Sequence, residues 1–384
     1  MSIIKRSSSG GQRLLFVDMF RGLMVLIMVQ GHVTNATILP ALRTTRAHHY
    51  LNLLNGMVAP GFIFIAGFAI ALVLEKKWET FLRFEKPLWM QVRRLLFILA
   101  VAFWLHLPVW SFRSMLHLSG ESFFYFLRCD VLQLISLSLL FILFLTILLR
   151  NQKPAMWTLC VLALGNVFVT PFLYDMDPRD YLPPPFADYI NVKHGALFPL
   201  FPWSAFAFLG AFVCWIYQKA KAGNRETTFF AVIAISGAIM FVSAFALFYA
   251  PWQYHTYADP SRSSPRHFML KMGFIFLMLA AFWWYERTRK PQESWLNTAG
   301  QESLLVYGLH LVIVYGASFT PYYVSRDVGA VLTHSQSFSI SFLLISSMVG
   351  TGIAWHRWKE RSPRTAKVFF YLLCAIYFLR FFAS

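Results

Sequence analysis

Long apolar runs separated by short polar stretches dominate the chain, and the length of the runs decides what they are. A helix needs roughly 17 to 25 mostly apolar residues to cross the hydrocarbon of a bilayer, and a strand would show a period of two instead. By this criterion the pattern predicts eleven spans, near 14–33, 55–74, 94–111, 124–149, 155–173, 197–217, 228–250, 268–285, 302–319, 337–355 and 367–383. The predicted fold class is therefore all-α, a polytopic membrane protein of about eleven transmembrane helices, with 1–384 as one transmembrane domain. No internal repeat is visible, and the longest biased stretch is Ser7-Ser8-Ser9.

The first run breaks the apolar rule. Arg13-Leu14-Leu15-Phe16-Val17-Asp18-Met19-Phe20-Arg21-Gly22 leads into an apolar stretch that reaches His32. Eleven residues of helix bring Arg21 and His32 to within about 20° of one face and about 16 Å apart along the axis, with Asp18 a turn below Arg21. Charge in hydrocarbon is expensive and persists where it faces a bundle interior or a wet pathway, so this stripe is the candidate site.

Composition agrees with the pattern: 58% hydrophobic, 13% charged, mean hydropathy +0.54, which excludes an ordinary soluble globular protein. The net charge of +17 would suit a nucleic-acid binder, but the basic residues sit in short loops between apolar runs, where membrane orientation accounts for them. Alternate connections carry 22 and 10 Lys and Arg, which predicts a cytoplasmic N-terminal side and an outer C-terminal side. Lys5 and Arg6 before an apolar stretch resemble a signal peptide, yet Asp18 and Arg21 interrupt its apolar region, so the first helix is expected to stay in the mature protein. Cys129, Cys160, Cys214 and Cys374 fall in or beside apolar runs without CxxC spacing and read as small buried hydrophobes. The longest outer loop, about 174–196, holds Asp175, Asp177, Asp180 and Asp188 with Pro183-Pro184-Pro185; it is expected to be a lid, an acceptor wall or a plain connector.

Taken in order, Arg13, Asp18, Arg21-Gly22 and His32, then Pro60-Gly61-Phe62-Ile63-Phe64-Ile65-Ala66-Gly67, resemble the start of membrane acyltransferases. The superfamily includes acyltransferase family 3 and the heparan-alpha-glucosaminide N-acetyltransferase-like proteins. Val131-Leu132-Gln133, Phe198-Pro199-Leu200-Phe201-Pro202-Trp203 leading to Leu209-Gly210, Ser264-Pro265 and Gly300-Gln301-Glu302-Ser303-Leu304-Leu305-Val306-Tyr307-Gly308-Leu309-His310 are similar to the second group. The resemblance implies a single transmembrane acyltransferase domain. It implies transfer of an acyl group, usually acetyl, from cytoplasmic acetyl-CoA to a hydroxyl or amine of a saccharide or glycolipid on the far side. A bacterial cytoplasmic (inner) membrane is the expected location.

Within that frame the candidate catalytic residues are His32, Asp18 and Arg21. An imidazole titrates near neutrality, so His32 suits a general base, or it could carry the acyl group itself. Arg21 is either a clamp on phosphate or thioester oxygen or the ion-pair partner of Asp18, which is more suited to structure than to catalysis. Donor contacts are expected from Arg21, Arg13, His310 and Ser303. Acceptor contacts are expected from His48, His49, Gln133 and Trp203. In the lysosomal heparan enzyme's pattern an asparagine stands where His32 aligns and the reactive histidine falls about where His48 and His49 lie, so the two places compete for the base. Each residue also has a plainer reading: solvated loop for His48 and His49, interhelical hydrogen bonding for His310, an interfacial belt for Trp203. Arg128 and Asp130 read as markers of the outer interface. No metal is predicted, since no ligand cluster, HExxH, P-loop or dinucleotide fingerprint is present. The competing function is a proton-coupled transporter or flippase, which calls for broken helices paired across two halves. Acyl length and oligomeric state, a homodimer included, are not legible.

Overall fold

The computed structural model describes residues 14–248, 260–289, 294–318 and 320–383. Arg13, a predicted donor contact, lies outside them. Thirteen helices carry the architecture: α1 Leu15–Thr37, α2 Arg46–Asn55, α3 Val58–Leu82, α4 Lys86–Leu105, α5 Val131–Leu149, α6 Gln152–Asp175, α7 Leu200–Ala222, α8 Glu226–Phe248, α9 Pro265–Arg289, α10 Trp295–Gln301, α11 Ser303–Tyr315, α12 His334–Arg361 and α13 Pro363–Ala383. Among the described residues there is no strand, only an isolated bridge between Ile38 and Leu332. Among the described residues ten helices are long and apolar enough to cross a membrane when α2 and α3 count as one, and the chain is an integral membrane protein.

The predicted span near 302–319 takes a different form. Its apolar helix α11 has 13 residues, about 20 Å at helical rise, too short alone for a hydrocarbon core of about 30 Å. It is completed by α10, which sequence polarity assigns to a loop. Ser294 and Asn297 form a capping box that starts α10. The Glu302 amide donates to Thr298 and the Val306 amide to Glu302, so the backbone ladder continues across a bend at Glu302. Lys359 Nζ at 2.6 Å and His356 Nδ1 at 2.8 Å hold the Glu302 carboxylate from α12.

α1 and α7 are the most enclosed helices and α13 the most lipid-facing. Lipid tails are as apolar as leucine, so helix association in a bilayer depends on close packing more than on the hydrophobic effect. Two crossings show how that closeness is reached. A Cβ on Gly67 of α3 would overlap the Ala207 carbonyl oxygen of α7, and one on Gly210 would overlap that of Phe64. Likewise a Cβ on Gly22 of α1 would overlap the Leu296 carbonyl and one on Gly300 of α10 that of Asp18. The second crossing presses α10 onto the charged stripe of α1. An apolar core containing Phe16, Phe20, Phe68, Tyr217, Phe230 and Trp283 fills the space between these helices.

Candidate active site

α10 and α11 run beside α1 for most of its length, and polar side chains mark the register. Asn297 Nδ2 donates to the Leu15 carbonyl (3.1 Å), Gln301 Nε2 to Asp18 Oδ2 (3.1 Å), and Arg21 Nη2 to Ser303 Oγ (3.0 Å). Further along, His310 Nε2 lies 3.3 Å from His32 Nδ1, and the Tyr315 hydroxyl donates to the His32 carbonyl (3.2 Å). The polar residues that hide α10 in the sequence are thus those that seat it against α1.

A cavity of about 1160 Å³ opens beside this pair and is walled by α1, α3, α4, α5 and α11. Arg21, Gln91, Arg94, Gln301 and Ser303 line it, and so do His32, Asn35, Asn52, Asn55, His106, Arg128 and Tyr315. Arg21 and His32 are eleven residues apart on α1, and Arg94 on α4 precedes His106 by twelve, roughly 16 and 18 Å of helix. Helix α1, and α4 together with its C-terminal cap residue His106, therefore each present a guanidinium and an imidazole to one elongated chamber. Ile65, Ala66, Ile70, Leu95, Ile98, Leu132 and Ile135 supply its apolar wall.

The two cavity imidazoles differ in chemical capacity. His106 Nδ1 faces the Ala102 carbonyl at 2.9 Å and Nε2 faces Asp130 Oδ2 at 3.0 Å. The Ala102 carbonyl only accepts, so Nδ1 donates to it, and the Asp130 carboxyl group occupies Nε2, so both ring nitrogens of His106 are engaged. His32 has one nitrogen engaged, Nδ1, and no partner at Nε2 among the described residues. Of these two imidazoles, His32 is the one with a ring nitrogen that no described residue engages.

The remaining candidates separate by location. Asp18 is buried against Gln301 just outside the lining, and Ser303 is in it. His310 is fully buried and stands behind His32 instead of lining the cavity. His48 is buried with its ring 6.1 Å from that of His334, and His49 is exposed; neither lines the chamber. Gln133 is fully buried away from the lining, and Trp203 packs on Phe198 and under Lys271. The acidic loop is clasped by a two-bond Arg179–Asp188 pair (2.9 and 2.7 Å) and by His194 Nε2 on Asp177 (2.7 Å). The hydrogen bond from His194 and the Arg179 amide hold the Asp177 carboxyl below the usual carboxylate range. The far end of the loop, Gly195, Leu197 and Phe198, forms cavity wall, with Arg128 Nη1 donating to the Gly195 carbonyl at 2.9 Å.

Sequence reasoning did not single out Arg94, His106, Asn52, Asn55 or Tyr315. One signal was available for the first two: Arg94 and His106 at the ends of an apolar run nearly repeat the spacing of Arg21 and His32.

The family model described as "Heparan-alpha-glucosaminide N-acetyltransferase, catalytic" matches residues 13–252. The chain belongs to that family. The match covers α1 to α8 and so contains Arg21, His32, Arg94 and His106, while α10 and α11 follow it. The protein is accordingly a membrane transferase of the heparan-alpha-glucosaminide N-acetyltransferase type. No curated protein matches the chain.

Proposed function

We propose that the protein transfers an acyl group, acetyl in the first instance, from a coenzyme A thioester to a hydroxyl or amine of an envelope saccharide or glycolipid across a bacterial cytoplasmic membrane. One observation carries the reading: a single chamber joins two guanidiniums, Arg21 and Arg94, to an imidazole with an uncommitted nitrogen, His32.

The chain's residues divide the work along that chamber. Arg21 and Arg94 bind donor phosphates, because a guanidinium is always charged and its planar fork matches phosphate oxygens. Gln301 and Ser303 beside them offer hydrogen bonds to the amides of an extended thiol arm. The apolar wall keeps water from the thioester. At the other end, Asn35, Asn52 and Asn55 orient the acceptor; both amide atoms of Asn55 are buried without a partner among the described residues, as a site for hydroxyls or an acetamido group requires. His32 Nε2 takes the proton from the acceptor O–H or N–H as that atom bonds to the acyl carbon. The carbon–sulfur bond then breaks, and the imidazolium returns the proton to the thiolate. The products are the acylated acceptor and the free thiol, with His32 restored.

The test is turnover of acetyl-CoA by the purified protein in detergent or nanodiscs with a panel of amino and hydroxy sugars. Wild type should release thiol, and His32→Ala should lose about 10²-fold or more of that rate while eluting and melting like wild type. Equal turnover in His32→Ala and wild type would reject the assignment of the base, and absence of thioester turnover in wild type with every acceptor would reject the enzyme.

A further inference from the structure

An imidazole can serve as a base through Nε2 only if its other nitrogen holds the hydrogen, and free histidine favours the opposite arrangement. What the second nitrogen touches therefore decides the tautomer. In this protein it touches another imidazole.

His310 lies on α11, fully buried, with its Nδ1 2.8 Å from the Val306 carbonyl. A carbonyl only accepts, so Nδ1 of His310 carries the hydrogen, and in the neutral ring Nε2 is left as a lone pair. That lone pair faces His32 Nδ1 at 3.3 Å, with ring centroids 5.0 Å apart. The arrangement is satisfied by His32 donating from Nδ1, which leaves the His32 lone pair on Nε2, toward the cavity. The assignment follows from the acceptor-only carbonyl at the start of the chain of bonds.

The support behind this relay is rigid. Val306 packs on Val25, Val29 and Met348, tying α11 to α1 and α12. Tyr315, also on α11, bonds the His32 backbone carbonyl and sets its ring edge against the imidazole at 5.6 Å. One short helix thus grips the His32 backbone, ring and Nδ1 together.

We propose that His310 is a positioning residue that fixes His32 as its Nδ1–H tautomer and so creates the base at Nε2. The inference rests on the reading of His32 as the base. It replaces the donor contact expected of His310, which its place behind His32 does not provide.

Two variants test it. His310→Leu removes the acceptor; His310→Gln keeps one, since its side-chain oxygen reaches about where Nε2 stood. His310→Leu should lower kcat at least about tenfold with KM for acetyl-CoA unchanged and should move the acidic limb of the pH–rate profile, as expected when a base is held in the wrong tautomer. His310→Gln should keep kcat within about threefold of wild type and leave that limb in place. A separate readout does not depend on turnover: ¹⁵N-histidine spectra, with the His32 signals assigned by difference against His32→Gln, should show Nδ1 protonated in wild type and Nε2 protonated in His310→Leu. Wild-type kcat and pH profile in His310→Leu, or a His32 protonated at Nε2 in wild type, would overturn the proposal. If wild type turns over no thioester, the functional reading fails by itself and the tautomer is still decided by the spectra. If His310→Leu does not fold, the wild-type spectrum and His310→Gln carry the test.

Discussion

At the scale of single residues, the chamber distinguishes groups that the sequence shows as equals. Arg21 and His32 were legible because both sit on one segment, where the 100° turn per residue fixes which side chains share a face. His48, His49, Gln133 and Trp203 carry suitable chemistry, but sequence spacing cannot say which face of each helix meets the cavity. His310 lies 278 positions from His32, and no local pattern couples the two. The two guanidiniums also differ in setting, since Arg21 is half-buried and Arg94 is exposed. A charge-assisted hydrogen bond in a sheltered site contributes about 1.5–3 kcal/mol, whereas an exposed ion pair contributes about 0.2–1 kcal/mol. Arg21→Ala should therefore raise KM for acetyl-CoA roughly tenfold or more, and Arg94→Ala by roughly two- to fivefold, with kcat little changed in the second. Steady-state kinetics against donor concentration checks both, and an unchanged KM in a folded Arg21→Ala protein removes the phosphate clamp from the mechanism.

At the scale of helices, the long apolar elements were readable from hydropathy because lipid exposure demands nearly continuous apolar sequence. The bent α10–α11 pair was only half readable, for a physical reason. Helix α10 turns Asn297 and Gln301 toward neighbouring helices, with Glu302 at the bend, and each of the three finds a partner on α1 or α12 or within its own cap. A hydropathy scan reads such a segment as a loop. Crossings held by glycine are equally silent in a scan and equally demanding in the fold. At Gly67 the added methyl of alanine would meet backbone of α7, which cannot rotate aside as a side chain can. Overpacking of this kind costs about 1–3 kcal/mol. Gly67→Ala should lower the melting temperature in detergent by several degrees, while Gly165→Ala, where an added Cβ meets nothing within 4 Å, should not. Equal melting temperatures for Gly67→Ala and wild type would show that α3 and α7 are further apart than described.

At the scale of the whole molecule, the directions of the helices constrain how many times the chain crosses. Both α1 and the α10–α11 pair run the same way, because contacts advance together from Leu15–Asn297 to His32–His310. Helix α12 runs the opposite way, with Ser337 bonded to Thr37 and Met348 packed on Val25 and Val29. The segment between α11 and α12 returns to the far end of α1, where Leu39 and Leu332 share a backbone hydrogen bond of 2.9 Å. On these directions the bent pair is expected to act as a crossing in its own right, beside the ten long helices among the described residues, and every later loop would take its side from that. Exposed Phe84, Tyr181 and Tyr322 report on three connections. If α10–α11 crosses, cysteines placed at Tyr181 and Tyr322 should react with a membrane-impermeant maleimide from one side and a cysteine at Phe84 from the other. The native cysteines, buried or half-buried, should contribute little background. The excess of Lys and Arg on the Phe84 side leads to the expectation that this side is cytoplasmic, in which case Phe84→Cys should label only after cells are opened. Labelling of Tyr322→Cys together with Phe84→Cys would mean that the bent pair turns back within the membrane, and it would place the start of α1 and the end of α13 on the same side.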